Sequence, residues 1–233
     1  MISQTEGIVL HTIKYSESSI IAHIFTKEYG AGTYIMNNVR GKQSKMAYFQ
    51  TFSHVSLSIY RKKNASLFRI TNIEFASMHF AVYSDILKAC MCQFLGEFLH
   101  KVLHSEETNN GLYTHLLNTI NKLEHTDRVS GIFHIIFLLQ TTEYFGITPH
   151  NNWTPTNHFF NMHAGNFCSY HNSECLNEKT SLNLHKIMNN SLSRPIPLQE
   201  KIILLEALIN YYRIHIHYFG AIKSLAVLQT VFE

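Results

Sequence analysis

Two short runs of cations stand out for the chemistry their neighbours would support. One is Arg61-Lys62-Lys63-Asn64. The other is Arg40-Gly41-Lys42-Gln43-Ser44-Lys45, followed within a few residues by Tyr48, Phe49 and Phe52. Ammonium and guanidinium groups neutralise phosphates and release condensed counterions. Aromatic faces stack on unpaired bases, at about 1–3 kcal/mol for each base. Cations beside rings therefore suit single-stranded nucleic acid. Taken alone, the three rings suit core packing equally well, since an apolar run before a strand usually enters the interior. The cationic loops alone also suit a plain solvated surface.

A second chemistry is metal binding. Cys168, His171 and Cys175 lie close together, with His158 and His163 upstream. Thiolate and imidazole ligands hold zinc tetrahedrally, but the spacing here is C-x2-H-x3-C, without the paired C-x2-C of most structural sites. Ordinary thiols and surface imidazoles in a loop account for it as well. Cys90-Met91-Cys92 falls on a helical pattern, where residues two apart do not share a face, so the pair is badly placed to chelate one ion. No nucleophile elbow, H-E-x-x-H pair or phosphate-cradling glycine loop is present in the sequence. No catalytic residue is assigned, and the expectation is a protein that is not an enzyme. The alternative, motivated by the His/Cys-rich stretch, is a zinc-dependent hydrolase or nuclease acting on nucleic acid.

The bulk composition narrows the setting. Hydrophobic residues make up 45% of the chain, which is ordinary for a folded domain. The start, MISQTEGIVL, lacks the pattern of a secretion signal, and four cysteines are too few for a disulfide framework, so the cytoplasm is expected. The most apolar run, 132–139, is interrupted by His134 and too short for a bilayer, so no membrane partner is expected. Residues 1–80 hold nine Lys/Arg against four Glu (+5), whereas residues 81–233 hold ten against twelve acidic residues (−2). A basic front half is the electrostatic footprint of a polyanion partner.

The elements that must carry these residues follow from the hydrophobic period. Segments 8–13, 19–26, 33–37, 53–60 and 66–71 are rich in β-branched and aromatic residues, and turn formers separate several of them. In the fourth, Val55, Leu57 and Ile59 alternate with His54, Ser56 and Ser58, as a half-buried strand requires. Five short strands predict a small Greek-key barrel of the OB type. This places Arg61 to Asn64 at the tip of the hairpin between strands four and five. From residue 82 to 103 the apolar period becomes helical, and further helices are predicted over 112–123, 128–145, 182–192, 198–219 and 225–231. Residues 148–179 lack such a period and carry Pro149, Pro155 and seven Asn, which predicts an irregular insertion with one hairpin, 159–161 facing 165–167. The fold class is α+β and multidomain. An OB barrel over 1–78 precedes a helical domain over 79–147 and 180–233, interrupted by the insertion 148–179, which could resemble a zinc ribbon.

The ordered motifs resemble the RecO family of bacterial recombination mediators. Those that match are Gly7-Ile8-Val9-Leu10, Tyr15-Ser16-Glu17-Ser18, 25–30 (FTKEYG), Arg40-Gly41 with Ser44-Lys45, 143–147 (EYFGI) with Pro149, and 217–220 (HYFG) followed by 222–225 (IKSL). The resemblance implies an N-terminal OB-fold, a helical domain and, in some members, a zinc-binding insertion. It implies binding of single- and double-stranded DNA, annealing of complementary strands and help in loading RecA onto DNA coated by single-strand-binding protein (SSB). The implied partners are RecR, RecF and the acidic SSB tail. Arg40 and Lys45 match the family's basic front. Lys14, Lys42, Arg61, Lys62, Lys63 and Arg69 join them as candidate DNA-binding residues from charge and position. Zinc-bearing members carry paired cysteines where this sequence has Cys168 and Cys175 alone, so no cofactor is expected, with zinc as the one candidate.

Overall fold

The structure is a computed structural model and describes residues 2–40, 44–62, 65–103 and 107–231. Five strands, β1 (Ile2–Lys14), β2 (Ile20–Thr26), β3 (Gly30–Met36), β4 (His54–Tyr60) and β5 (Leu67–Phe75), close into a barrel in the order β1-β2-β3-β5-β4. Every neighbouring pair is antiparallel except β3 and β5, which run parallel. This is the OB arrangement. Alternate residues fill the interior, as the sequence predicts: Val55, Leu57 and Ile59 of β4 meet Ile20, Ala22 and Ile24 of β2, Tyr34 and Met36 of β3, and Phe68, Ile70 and Ile73 of β5.

Two strands extend beyond their sequence patterns. β1 begins at Ile2 rather than Ile8 because its first half pairs with β4, from Ile2 opposite Tyr60 to Ile8 opposite His54. β5 runs on to Phe75, with a register shift opposite Ser58/Ile59 that lengthens it by an unpaired residue. Phe49 and Phe52 are 3% and 0% exposed, and Tyr48 packs on Phe75 with ring centroids 4.6 Å apart. The rings after the second cationic run therefore belong to the core. The Phe52 amide donates to the Val9 carbonyl at 2.7 Å, which anchors that connection against β1.

The chain divides into two compact units. The first is the barrel with the residues through Val129 and, from much later in the sequence, Ile222–Val231. Its helices are α1 (Phe80–Ser84), α2 (Ile86–Val102), α3 (Asn110–His125) and α7 (Ser224–Val231). The continuous apolar stripe over 82–103 is broken at Asp85, which adopts extended backbone and caps α2 by accepting from the amides of Leu87 and Lys88. Glu124 of α3 accepts from the Ala81 and Val82 amides, holding α1. Glu97 of α2 accepts from the amides of Lys223 and Ser224 at 2.9 and 2.8 Å, holding the start of α7. Its carboxyl stays below the usual range: partial burial works against this, and the amide and hydroxyl donors together with Lys101 outweigh it. Gly96 of α2 lies against the barrel. A β-carbon there would collide with the Thr51 methyl and come within 2.7 Å of the Leu10 carbonyl oxygen.

The second unit, Ser130–Ala221, holds α4 (Phe133–Thr141), the hairpin β6 (Phe159–Asn161) and β7 (Asn166–Cys168), α5 (Glu178–Met188) and α6 (Leu198–His215). Phe160, Met162 and Phe167 of the hairpin segment are buried. Tyr212 of α6 donates to the Leu138 carbonyl of α4 at 2.7 Å. α4 starts five residues later than the apolar period indicates, after the Ser130-Gly131 turn.

Candidate nucleic-acid interface

The outer wall of the barrel is set by register. Ile13 pairs with Ile21, Ile21 with Ile35, Ile35 with Arg69, Arg69 with Tyr60 and Tyr60 with Ile2. Residues in one cross-strand row project from the same face of a sheet. This row faces solvent: Ile2 is 65%, Tyr60 48% and Ile13 47% exposed, and Arg69 is exposed beside them. An aromatic ring and a guanidinium are thus adjacent in an otherwise aliphatic row.

At one end of the row lies a groove of about 590 Å³. Ile2, Tyr60, Arg69 and Thr71 line it from the strands, and Asn37, Asn38 and Lys45 from the connection that follows β3. Lys45 is fixed through its backbone, whose amide donates to the Val39 carbonyl at 2.8 Å. Among the described residues neither Lys45 nor Arg69 forms an ion pair, and no carboxylate lines the groove. The arrangement offers two cations for phosphates, an exposed ring for a base, and two asparagine amides that both donate and accept.

The other candidates are distributed around the barrel. Arg61 is half-buried, its guanidinium carbon 4.2 Å from the Tyr29 ring centroid and 4.5 Å from that of Phe68, so cation–π contacts hold the β4–β5 connection to the barrel. Lys62 follows it in the open. Lys14 ends β1, paired with Ile20 and exposed, and Arg40 is exposed in the connection after β3. Lys42 and Lys63 lie outside the described residues. Cations in loops do not point to Tyr60 or Ile2, which stand on the strands themselves. The signal for Tyr60 was its place at the polar-face position of the alternating fourth strand.

One row further along, His11 of β1 is opposite His23 of β2, and His100 of α2 lies over them, with ring centroids 5.1 Å from His11 and 4.2 Å from His23. Burial holds His11 below the ordinary imidazole value, with Lys101 adding to the effect and Glu97 opposing it. Burial, His11 and Lys101 do the same for His23. Both therefore favour the neutral form at pH 7, and positive charge on the wall comes from Lys and Arg.

The second unit has a cationic recess of its own, of about 360 Å³, lined by Arg194 and Lys201 over Ile132, Leu192, Pro195 and Ile196. Lys201 stands directly over Gly131, where a β-carbon would come within 3.0 Å of its Nζ. Beneath it His134 is pushed down to about 4, by burial first and by the Lys201 charge second. Charge counting could not reveal this recess, because residues 81–233 are net acidic and the concentration is local.

In the insertion, the Sγ atoms of Cys168 and Cys175 are 3.5 Å apart. Among the described residues no group of three or more His, Cys, Asp and Glu side chains is placed to hold a metal ion. Two thiols are half of a tetrahedral donor set, so the residues present do not fit a structural zinc site. His158 and His171 instead contact the ring of Phe159, at 4.2 and 5.2 Å between centroids. Among the described residues no helix is long and apolar enough to cross a membrane.

A closed OB barrel with a basic groove, joined in one chain to a helical unit, is an architecture suited to binding nucleic acid. Residues 1–79 match the family model "Recombination protein O N terminal", and residues 83–225 match "Recombination protein O C terminal". Proteins named DNA repair protein RecO are similar along their whole length. That of Flavobacterium psychrophilum is 32% identical with 99% of each chain covered, that of Flavobacterium johnsoniae 31% with 99% of each, and that of Phocaeicola vulgatus 30% with all of both. The chain belongs to the RecO family of DNA repair proteins.

Proposed function

We propose that this chain is a recombination mediator that binds single- and double-stranded DNA through its barrel, anneals complementary strands, and assists RecA loading on SSB-coated DNA together with RecR and RecF. The observation that carries this reading is the convergence of Lys45, Arg69 and Tyr60 in one groove of a RecO-family barrel. Cations there neutralise phosphates of both strands, lower their mutual repulsion and let them meet, while an exposed ring takes an unstacked base. Lys14, Arg40, Arg61 and Lys62 extend the basic surface beyond the groove, and Lys42 and Lys63 are DNA-binding candidates by charge and sequence position.

The mediator acts without catalysing a covalent step and without a bound cofactor. Elemental analysis of purified protein is expected to find no stoichiometric zinc, and one zinc per chain would refute this. The recess of Arg194 and Lys201 offers positive charge complementary to the acidic SSB tail. The setting is the cytoplasm, where its DNA and protein partners are. The decisive assay is annealing of complementary strands coated with SSB from the same source. Accelerated annealing is expected. DNA binding without acceleration on coated strands would overturn the mediator role and leave a DNA-binding protein.

A further inference from the structure

The paired thiols of the insertion are not used by the DNA-binding reading, and their geometry points elsewhere. β6 is flanked on both sides. Its Phe159 is opposite Cys168 at the end of β7, while Asn161 bridges to Cys175 in the segment that follows. That segment is bound along β6, the Met162 amide donating to the Glu174 carbonyl and the Leu176 amide to the Phe160 carbonyl, each at 2.9 Å. The side chains of Cys168 and Cys175 meet at 3.5 Å, with the Cys168 thiol placed to donate to the Tyr170 carbonyl at 3.2 Å and the Cys175 thiol to the Asn172 side-chain oxygen at 3.1 Å. Both cysteines are partly exposed, so a small oxidant reaches them, whereas Cys92 is buried, with its thiol pushed far up by desolvation.

We propose that Cys168 and Cys175 form a reversible redox site, closed to a disulfide by exchange with a low-molecular-weight disulfide such as oxidised glutathione. One cysteine thiolate attacks a glutathione sulfur, forming a mixed disulfide and releasing one glutathione thiolate. The second cysteine thiolate then attacks the protein-bound sulfur, closing the Cys168–Cys175 bond and releasing the second glutathione. The two protons lost by the cysteines end on the two glutathiones, and the two electrons lost by the cysteine sulfurs reduce the glutathione disulfide. Little movement is needed, because the sulfurs already touch and the closed loop is short. The product is a covalently pinned ribbon, with β7 and the 174–176 segment tied across the loop that carries Tyr170, which is 66% exposed. Burial, and after it the neighbouring Cys175 thiol, raises Cys168 above the ordinary thiol value, so closure accelerates as pH rises.

The test uses the reduced full-length chain, incubated with oxidised glutathione and read by intact mass, free-thiol titration and peptide mapping. The expected result is the loss of two hydrogens in mass, a fall from four free thiols to two, and a single cross-linked peptide pair joining Cys168 to Cys175. Reduction with dithiothreitol restores all four. Cys168→Ser and Cys175→Ser are each expected to stop at a stable glutathione adduct, with circular dichroism showing that each variant is folded. Chymotryptic cleavage after Tyr170 in the wild-type chain is expected to slow on oxidation. A persistent glutathione adduct on the wild-type chain, a cross-link to Cys90, or four thiols left unreacted would each overturn the proposal.

Discussion

Replacing Lys45 and Arg69 together by alanine removes both cations of the groove while leaving Tyr60, the asparagines and the barrel core in place. Each phosphate neutralised on a single strand contributes roughly 0.7 to the slope of log K against log salt. Two lost contacts therefore lower the magnitude of that slope by about 1.4. With unchanged affinity extrapolated to molar salt, the same figure makes the defect about sixtyfold at about 50 mM salt and about tenfold at about 200 mM. The defect must shrink as salt rises, which distinguishes lost phosphate contacts from lost folding. The assay is fluorescence anisotropy with a labelled oligothymidine across a salt series, with circular dichroism to verify the fold. A variant that binds as tightly as the wild type at low salt, or whose deficit is the same at every salt concentration, would refute the assignment of this groove.

Other outcomes test separate parts of the structure. Tyr60→Ala is expected to weaken single-strand binding by the about 1–3 kcal/mol of one stacked base, with Tyr60→Phe near wild type; equal affinities for all three would exclude stacking at Tyr60. Gly96→Ala is expected to destabilise the first unit by about 1–3 kcal/mol, because the Leu10 carbonyl is backbone and cannot give way, against roughly 1 kcal/mol gained in helix propensity. Thermal melting at or above the wild-type midpoint would refute that packing argument. His134 titrates near 4 when folded and near 6.5 when unfolded, so the unfolded state binds the extra proton between those values. Stability from its neutral form is full above pH 6.5 and falls by about 3 kcal/mol on acidification to pH 4. Urea unfolding followed by the single tryptophan, Trp153 in the second unit, measures this, and His134→Gln should flatten the pH dependence. An unchanged profile in that variant would sink the reading.

The barrel was legible because alternation records which face of each strand is wet. Val55, Leu57 and Ile59 announce β4 without reference to any partner. The first half of β1 was not legible: Gln4 and Glu6 are polar, and only pairing with β4 makes the segment a strand. The stripe over 82–103 is apolar on both sides of Asp85, so periodicity alone ran through a break that the capping aspartate produces. The cationic runs were visible as composition, but their partners were not. Lys45 and Arg69 share a groove because the parallel pairing of β3 and β5 sets Ile35 beside Arg69, a long-range register that no local pattern encodes. The fate of Phe49 and Phe52 was undecidable from residue type, since stacking and core burial ask for the same side chains. The recess of Arg194 and Lys201 depends on two segments meeting across Gly131 and leaves no trace in the charge balance.

The amides of Lys223 and Ser224, held by Glu97, make the first unit discontinuous in sequence. During synthesis the barrel and α1–α3 leave the ribosome well before α7, separated from it by the 92 residues 130–221. Until α7 arrives, Glu97 lacks its two amide donors and the surface of α2 that α7 covers stays open to solvent or to a chaperone. The second unit is thus an insertion in folding order as well as in sequence. A nonsense mutation near residue 220 would weaken the barrel-containing unit at the other end of the chain, so such a mutation should not be read as a lesion of the helical unit alone.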